Sequence, residues 1–345
     1  MNRKRNAGLP IHVGIVGCGG IAQVIHMPIL KKHPDVKLTA LCDTDASKAA
    51  ILADKYDVQQ IYEDIDDMLQ REKLDVVFIL TPNNLHLPMT LLALEAGKHV
   101  FVEKPAARNM EEVARISAQA EKSDKLVMVG MQNRFRTDVQ ALRKFILAEE
   151  LGSLFFIKGR WLQAYHQSIK QPWLINKAIS GGGVVMDLGI QLIDLIWWLA
   201  GKPVPVSTKS FGYEISEYLT VEDFCVACIT FENNLSVSLE LSWNFPIDKD
   251  HMYLELAGRD GTATLHPMRI QKIMHGQIVH ISPNIRESKI VNFKMGYQRE
   301  VNHFLDFLTG RTDHLESTID DALQVFRIVD GIYSSFASKR EVVLE

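Results

Sequence analysis

Between residues 11 and 130 the chain alternates short, apolar, β-rich runs with helical stretches, and this alternation narrows the possible folds more than any other feature. "IHVGIV", "VKLTALC", "LDVVFIL", "KHVFVE" and "LVMVG" are the strand-like runs. "DASKAAILADKY", "NLHLPMTLLALEAG" and "NMEEVARISAQAEKSD" separate them with helical patterns. Strands that are apolar throughout, with helices between them, imply a parallel sheet covered on both faces. The expected first domain is therefore α/β and doubly wound, over residues 9–131.

The first strand runs into "GCGGIA". Gly17, Gly19 and Ala22 fill a G-x-G-x-x-A frame, and Gly20 and Ile21 complete the turn. Gly17 permits the tight turn, Gly19 lets backbone approach a pyrophosphate, and Ala22 allows close helix packing. The helix start offers N–H groups to the anion. An acid, Asp43, stands at the end of the next strand, where a dinucleotide's ribose is recognised. Asp43 and Asp45 would both repel a 2′-phosphate, and no Arg or Lys follows the strand directly. NAD is expected in preference to NADP. Ligands in such sheets lie at the carboxyl ends of strands. Thr81, Pro82, Asn83 and His86 of "LTPNNLH", and Glu103 and Lys104 of "VFVEKPAA", are therefore expected beside the cofactor.

After "VGMQNRF" the pattern changes. The helix "DVQALRKFILAEELG" leads into five strand-like runs, with "ENN" and "GRDG" as hairpin turns, and the chain ends in two helical stretches. Residues 132–345 read as an α+β domain with a large, mostly antiparallel, open-faced sheet. In the last helix Thr318 and Asp321 approximate a capping box.

Residues 181–201, "GGGVVMDLGIQLIDLIWWLAG", read as a glycine loop followed by one apolar helix. It has about the length of a membrane span, but Asp187 and Asp194 fall inside it, each costing roughly 2.5–3.5 kcal/mol at a bilayer centre. A buried helix is the better reading. Asp187, Gln191 and Asp194 stand at i, i+4 and i+7, so one helix face should carry all three.

The formal charge of −4 leaves no nucleic-acid footprint. The basic start is followed by an apolar run that Gly14, Gly17, Gly19 and Gly20 interrupt, with no A-x-A-like cleavage site, so a cytoplasmic protein is expected. Cys225 and Cys228 form a C-x-x-C in a strand-like run. Their thiols should diverge, as ordinary buried cysteines rather than a redox or zinc pair. The twelve histidines show no H-x-x-H or H-x-x-x-H spacing, and no metal is expected.

"VGIVGCGGIA", Asp43, "TPNNLH", "EKP", "VGMQNRF" and "GGGVVMDLGIQLID" together resemble the Gfo/Idh/MocA oxidoreductase family, which includes glucose–fructose oxidoreductase and inositol dehydrogenase. The resemblance covers nearly the whole chain. It implies a Rossmann domain, a homodimer or homotetramer formed through the second domain's sheet, and a sugar or polyol substrate. In such enzymes the "EKP" lysine polarises the reacting oxygen, and a histidine of "GG…D-x-G-x-H-x-x-D" exchanges the proton. The polar helix face is expected to meet the substrate across the cleft mouth. Lys104 and Asp187 carry over directly. Gln191 stands where the histidine is expected. An amide takes no proton at neutral pH but can orient a hydroxyl. Lys104, Asp187 and Gln191 are thus the catalytic candidates. The same three, with Arg134 of "QNRF", are the substrate-binding candidates. Proton transfer would fall to Lys104 with a lowered pKa or to another group, for which Tyr165 and His166 are candidates. Trp161 and Trp173 ordinarily pack in a core, with stacking on a sugar ring as the alternative.

The implied reaction is interconversion of a secondary alcohol and a ketone. Two other readings stand beside it: a dinucleotide-binding sensor that kept the fold, which Gln191 favours, and a glycosidase relative that uses bound NAD transiently.

Overall fold

The computed structural model describes residues 10–165, 172–215, 219–284 and 289–344. Contacts divide the chain into two compact units, Met1–Gln132 with Lys294–Leu323, and Asn133–Phe293 with Gln324–Glu345.

The first unit is built on six parallel strands: β1 (Ile11–Val16), β2 (Val36–Cys42), β3 (Gln60–Tyr62), β4 (Val76–Ile79), β5 (His99–Glu103) and β6 (Val127–Gly130). Their order is 3-2-1-4-5-6, the doubly wound order whose direction reverses between β1 and β4. Every residue of β4 is buried, as expected for a strand covered on both faces. Helices α1 (Met27–Lys32), α2 (Ala46–Tyr56), α3 (Ile65–Arg71), α4 (His86–Glu95) and α5 (Met110–Ser123) form the crossovers. Asp45, Asp64 and Asn109 cap α2, α3 and α5, each side chain accepting from the backbone of the first turn. The chain returns to this unit late. Phe304 packs near the stacked pair Phe78 and Phe101, with ring centroids 6.2 and 5.9 Å away.

The second unit holds a nine-stranded sheet of β7 (Leu154–Ala164), β8 (Pro205–Tyr213), β9 (Phe224–Phe231), β10 (Ser236–Phe245), β11 (His251–Gly258), β12 (Gly261–Leu265), β13 (Arg269–Met274), β14 (Gln277–Ile281) and β15 (Val342–Val343). Neighbouring strands run antiparallel except β7 and β10, which are parallel. The "ENN" and "GRDG" turns join β9 to β10 and β11 to β12. Cys225 is buried and Cys228 exposed on β9, so the two thiols do diverge, but only the first is a core cysteine.

Helices α6 (Thr137–Leu147), α7 (Lys177–Ser180), α8 (Ile190–Leu199), α9 (Lys289–Leu308) and α10 (Ile319–Ser338) complete the chain, the last two crossing from one unit to the other. The Asp321 N–H donates to Thr318 Oγ1 at 3.2 Å, so the capping interaction forms. On the inner face of the sheet, α8 lies so close to β7 that a Cβ on Gly159 would come 2.8 Å from Ile196 and 3.1 Å from Leu192. The segment Lys177–Leu199 is long and apolar enough to cross a membrane, yet 83% of its most apolar window is buried inside the protein.

Candidate active site

In the first unit the glycine turn is set by contact. Gly17 has φ +94°, and a Cβ there would lie 2.7 Å from the Leu80 carbonyl oxygen. No L side chain fits both conditions. Gly19 and Gly20 differ, since a Cβ at either would meet nothing within 4 Å. That open backbone at a helix start is the space an anion uses. Asp43 is tied to the turn: Cys18 N–H donates to Oδ2 at 2.7 Å and Asp45 N–H to Oδ1 at 2.8 Å. Each carboxylate oxygen keeps further acceptor capacity for ribose hydroxyls. Thr81 Oγ1 is buried beside the turn with no partner among the described residues. A glycine cradle, a held carboxylate and an orphaned hydroxyl are a donor and acceptor set that fits a dinucleotide.

Two buried histidines stand behind this cradle. His86 lies between two backbone carbonyls, Nδ1 2.6 Å from Pro105 O and Nε2 2.8 Å from Thr81 O. It ties the "TPN" turn to the "EKP" turn. Burial lowers its pKa, although both carbonyls favour the protonated ring. A neutral ring can donate only one of these bonds. His26 is fully buried, with Nε2 2.7 Å from Glu103 Oε1 and its ring edge-on to Phe101 and Tyr297. The other Glu103 oxygen accepts the Lys104 N–H at 3.1 Å. Lys104, at the end of β5, is half-buried.

In the second unit the glycine loop before α8 is gathered by one carboxylate. Glu222 accepts from Gly183 N–H (3.0 and 3.1 Å), Val185 N–H (3.1 Å) and Tyr333 Oη–H (2.8 Å). A Cβ on Gly183 would lie 1.9 Å from the Glu222 carbonyl oxygen. Burial pushes the Glu222 carboxyl up, against these four bonds. The helix then opens with a π turn over Val185–Gly189, where Ile190 N–H donates to Val185 O, five residues back.

That turn changes the polar stripe. Asp194 is buried in a two-pronged ion pair with Arg134, at 2.9 Å from Nε and 2.5 Å from Nη2. Both side chains are withdrawn from solvent, at 0% and 2% exposure. Gln191 is 6% exposed; its Nε2 donates to the Asp187 carbonyl at 3.0 Å, and Oε1 accepts from Asn133 Nδ2 at 3.4 Å. Asp187 alone among residues 182–199 is half-buried rather than buried. Trp243 Nε1–H donates to its Oδ2 at 3.0 Å.

The family model described as "Oxidoreductase family, NAD-binding Rossmann fold" matches residues 11–131, and that of the GFO/IDH/MocA C-terminal domain matches residues 139–264. The D-glucoside 3-dehydrogenase of Escherichia coli (strain K12) is 30% identical over 78% of this chain and 81% of its own length. The chain belongs to the GFO/IDH/MocA oxidoreductase family. An inositol 2-dehydrogenase of Corynebacterium glutamicum is 24% identical over 86% of this chain and 85% of its own. The crystal structure of GenD2 from gentamicin A biosynthesis, in complex with NAD, superposes with a TM-score of 0.85. It covers 100% of this chain and 99% of its own at 22% identity, which establishes the shared fold.

Within this GFO/IDH/MocA chain the residues singled out by the sequence take up distinct environments. Arg134 is fully buried, and its guanidinium grips Asp194. Asp187, Gln191 and Asp194 do not form one open stripe, because the π turn and the buried pair give them three different environments. Gln191 spends its amide on the protein. His86 and Glu103 lie behind the nucleotide turn, holding other backbone. Asp45 caps α2 and pairs with Lys48 at 3.1 Å, so it does not stand as a bare charge against a 2′-phosphate. Gly17, Gly19, Gly20, Ile21, Ala22, Asp43, Thr81 and Pro82 line or shape the turn, while Asn83 is buried in the short helical turn that follows. Tyr165 is exposed, Trp161 and Trp173 are half-buried, and His166 lies outside the described residues. His26, Glu222 and Trp243 are the contributors that sequence reasoning passed over. Among the described residues no group of three or more His, Cys, Asp or Glu side chains is placed to hold a metal ion.

The ion pair makes a stability prediction. Arg134→Met leaves the Asp194 charge buried without its partner and should cost about 3–5 kcal/mol. The double variant Arg134→Met/Asp194→Leu should recover most of that loss in a denaturant titration. Equal stability of the single variant and the wild type would show that the pair is not dehydrated.

Proposed function

We propose that this protein interconverts a secondary alcohol and a ketone on a sugar, cyclitol or sugar derivative. The observation that carries the reading is the glycine cradle with Asp43 fixed to it, followed at a nearby strand end by Lys104. The names of the relatives support it, since one is a glucoside dehydrogenase and another an inositol dehydrogenase. Gly17, Gly19 and Gly20 would hold the pyrophosphate of NAD, Asp43 the adenosine ribose, and Thr81 a neighbouring polar group. NAD, when bound, supplies the hydride acceptor for oxidation and the donor, as NADH, for reduction.

The chain's own residues then divide the work. Lys104 hydrogen-bonds the reacting oxygen and stabilises the charge that develops on it as its proton leaves. Asp187, the acid that α8 and its π turn leave open, accepts that proton in oxidation and returns it in reduction. Gln191 supports Asp187 through its carbonyl and does not exchange protons. Arg134 and Asp194 hold the helix in place.

The outer face of the second unit's sheet supports a homo-oligomer. Phe211 and Tyr213 on β8 are about half exposed, at 49% and 51%, and Tyr213 meets Phe224, which stacks on Phe245. An aromatic surface of this kind is suited to a second copy of the chain. Light scattering coupled to gel filtration should give a dimer or tetramer, and Phe211→Glu/Tyr213→Glu should shift it toward monomer; a wild-type monomer at micromolar concentration would sink this part.

Cofactor choice is tested at Asp43. Asp43→Asn removes the charge and one of the two acceptors that hold the turn. It should narrow the preference for NADH over NADPH by about 10- to 100-fold, the worth of a charged hydrogen bond. Tighter binding of NADPH than NADH by the unmodified protein would overturn the assignment.

The division of chemistry is tested by two truncations. Lys104→Ala should keep NAD binding and lose on the order of 10²-fold or more in kcat. Gln191→Ala removes neutral hydrogen bonds and should lose roughly 2- to 13-fold. A screen over sugars, inositols and nucleotide sugars with NAD supplies the substrate. If the protein binds NADH but turns over nothing in that screen, the sensor reading replaces this one.

A further inference from the structure

We propose that Trp243 is a positioning residue for Asp187, acting through the indole N–H. The inference rests on the reading above, in which Asp187 serves the reaction.

The geometry is specific. Trp243 is 3% exposed on β10, and its own backbone N–H donates to Asp223 O at 2.9 Å, so the ring enters from a fixed strand position. Its Nε1–H then meets Asp187 Oδ2 at 3.0 Å. Indole has a single donor and no acceptor, so a buried ring can be satisfied only by an acceptor along that one direction. Asp187 is held from its other end as well, where Gln191 Nε2–H donates to its carbonyl. One contact fixes the backbone of the π turn and the other fixes the plane of the carboxylate. A carboxylate on a half-buried turn would otherwise sample several orientations. A reacting group held within a small angle of its working direction reacts faster, because the orientation is set before the substrate arrives. The neighbouring acids are not alternatives for the indole. Asp194 is engaged by Arg134, and Glu222 by Tyr333 and two backbone N–H groups.

Trp243→Phe keeps an aromatic ring on β10 and removes the donor together with part of the buried ring. Losing a hydrogen bond to a charged group predicts a roughly 10- to 100-fold fall in kcat. The KM for NAD should stay within about 2-fold, since Trp243 lies outside the nucleotide turn. A purely structural role would lower kcat by the same factor in any background. The decisive comparison is therefore Trp243→Phe in an Asp187→Asn background, where the further loss should be less than about 2-fold. The chain has five tryptophans, so the indole N–H resonances of the ¹⁵N-labelled protein can be assigned by deletion. The Trp243 resonance should move on Asp187→Asn without any cofactor or substrate present. An unmoved resonance, or equal kinetic losses in the two backgrounds, overturns the proposal. Full turnover by Asp187→Asn would instead overturn the catalytic reading of Asp187 beneath it. An impaired Asp187→Asn beside an unimpaired Trp243→Phe overturns this inference alone.

Discussion

The ion pair between Arg134 and Asp194 has no solvent on either side, and the placement of the second unit's polar groups follows from it. Two charges withdrawn from water are held only if each finds the other at close range with good geometry. The paired contacts at 2.9 and 2.5 Å meet that condition. They pin the segment that leaves β6 to the middle of the apolar helix. Glu222 fixes the start of the same helix through Gly183 and Val185. Between the two places the neighbours of Asp187 are buried and Asp187 is half open. A π turn lies between these two places, and its Gly189 presses against Leu241, where a Cβ would come within 2.8 Å.

The first unit solves a related problem with imidazoles. Loops at strand ends are ordinarily mobile, because few contacts hold them. Here His86 bridges the carbonyls of Thr81 and Pro105, and His26 holds the acid that accepts the Lys104 N–H. His86 joins two turns, and His26 joins the first helix to the end of β5. The glycine turn, the "TPN" turn and the "EKP" turn become one connected surface. A surface that is already in place spares the nucleotide part of the ordering cost on binding.

How much of this could be read from the chain depends on distance along it. The strands of the first sheet announce themselves by apolar runs, and Gly17 by its frame, because each signal is local. β3 is only Gln60–Tyr62, too short for a period to show. β13 buries only Ile270, β14 buries none of its five residues, and β15 is two residues long. A π turn inserts one residue without changing composition, so the i, i+4, i+7 spacing overstated what one face would carry. Partners were least legible of all. Arg134 meets Asp194 sixty residues on, and Trp243 meets Asp187 across fifty-six. "QNRF" identified Arg134 as a family residue but said nothing of burial, and burial turns a ligand candidate into an anchor. His26 stood in a helix whose pattern gave it no reason to be polar; only Glu103, seventy-seven residues away, supplies one.

Gln191, an amide where the resemblance leads to the expectation of a histidine, has a structural consequence of its own. An imidazole changes charge near neutral pH, and a turn that depended on it would change with it. An amide keeps both its donor and its acceptor at every pH the protein meets. Gln191 uses both, bridging the Asp187 carbonyl and Asn133. The contacts that Gln191 makes within the helix therefore do not depend on pH. Asp187 is the one acid of this helix that is half-buried rather than buried. Its orientation is set by a tryptophan and its backbone by a glutamine.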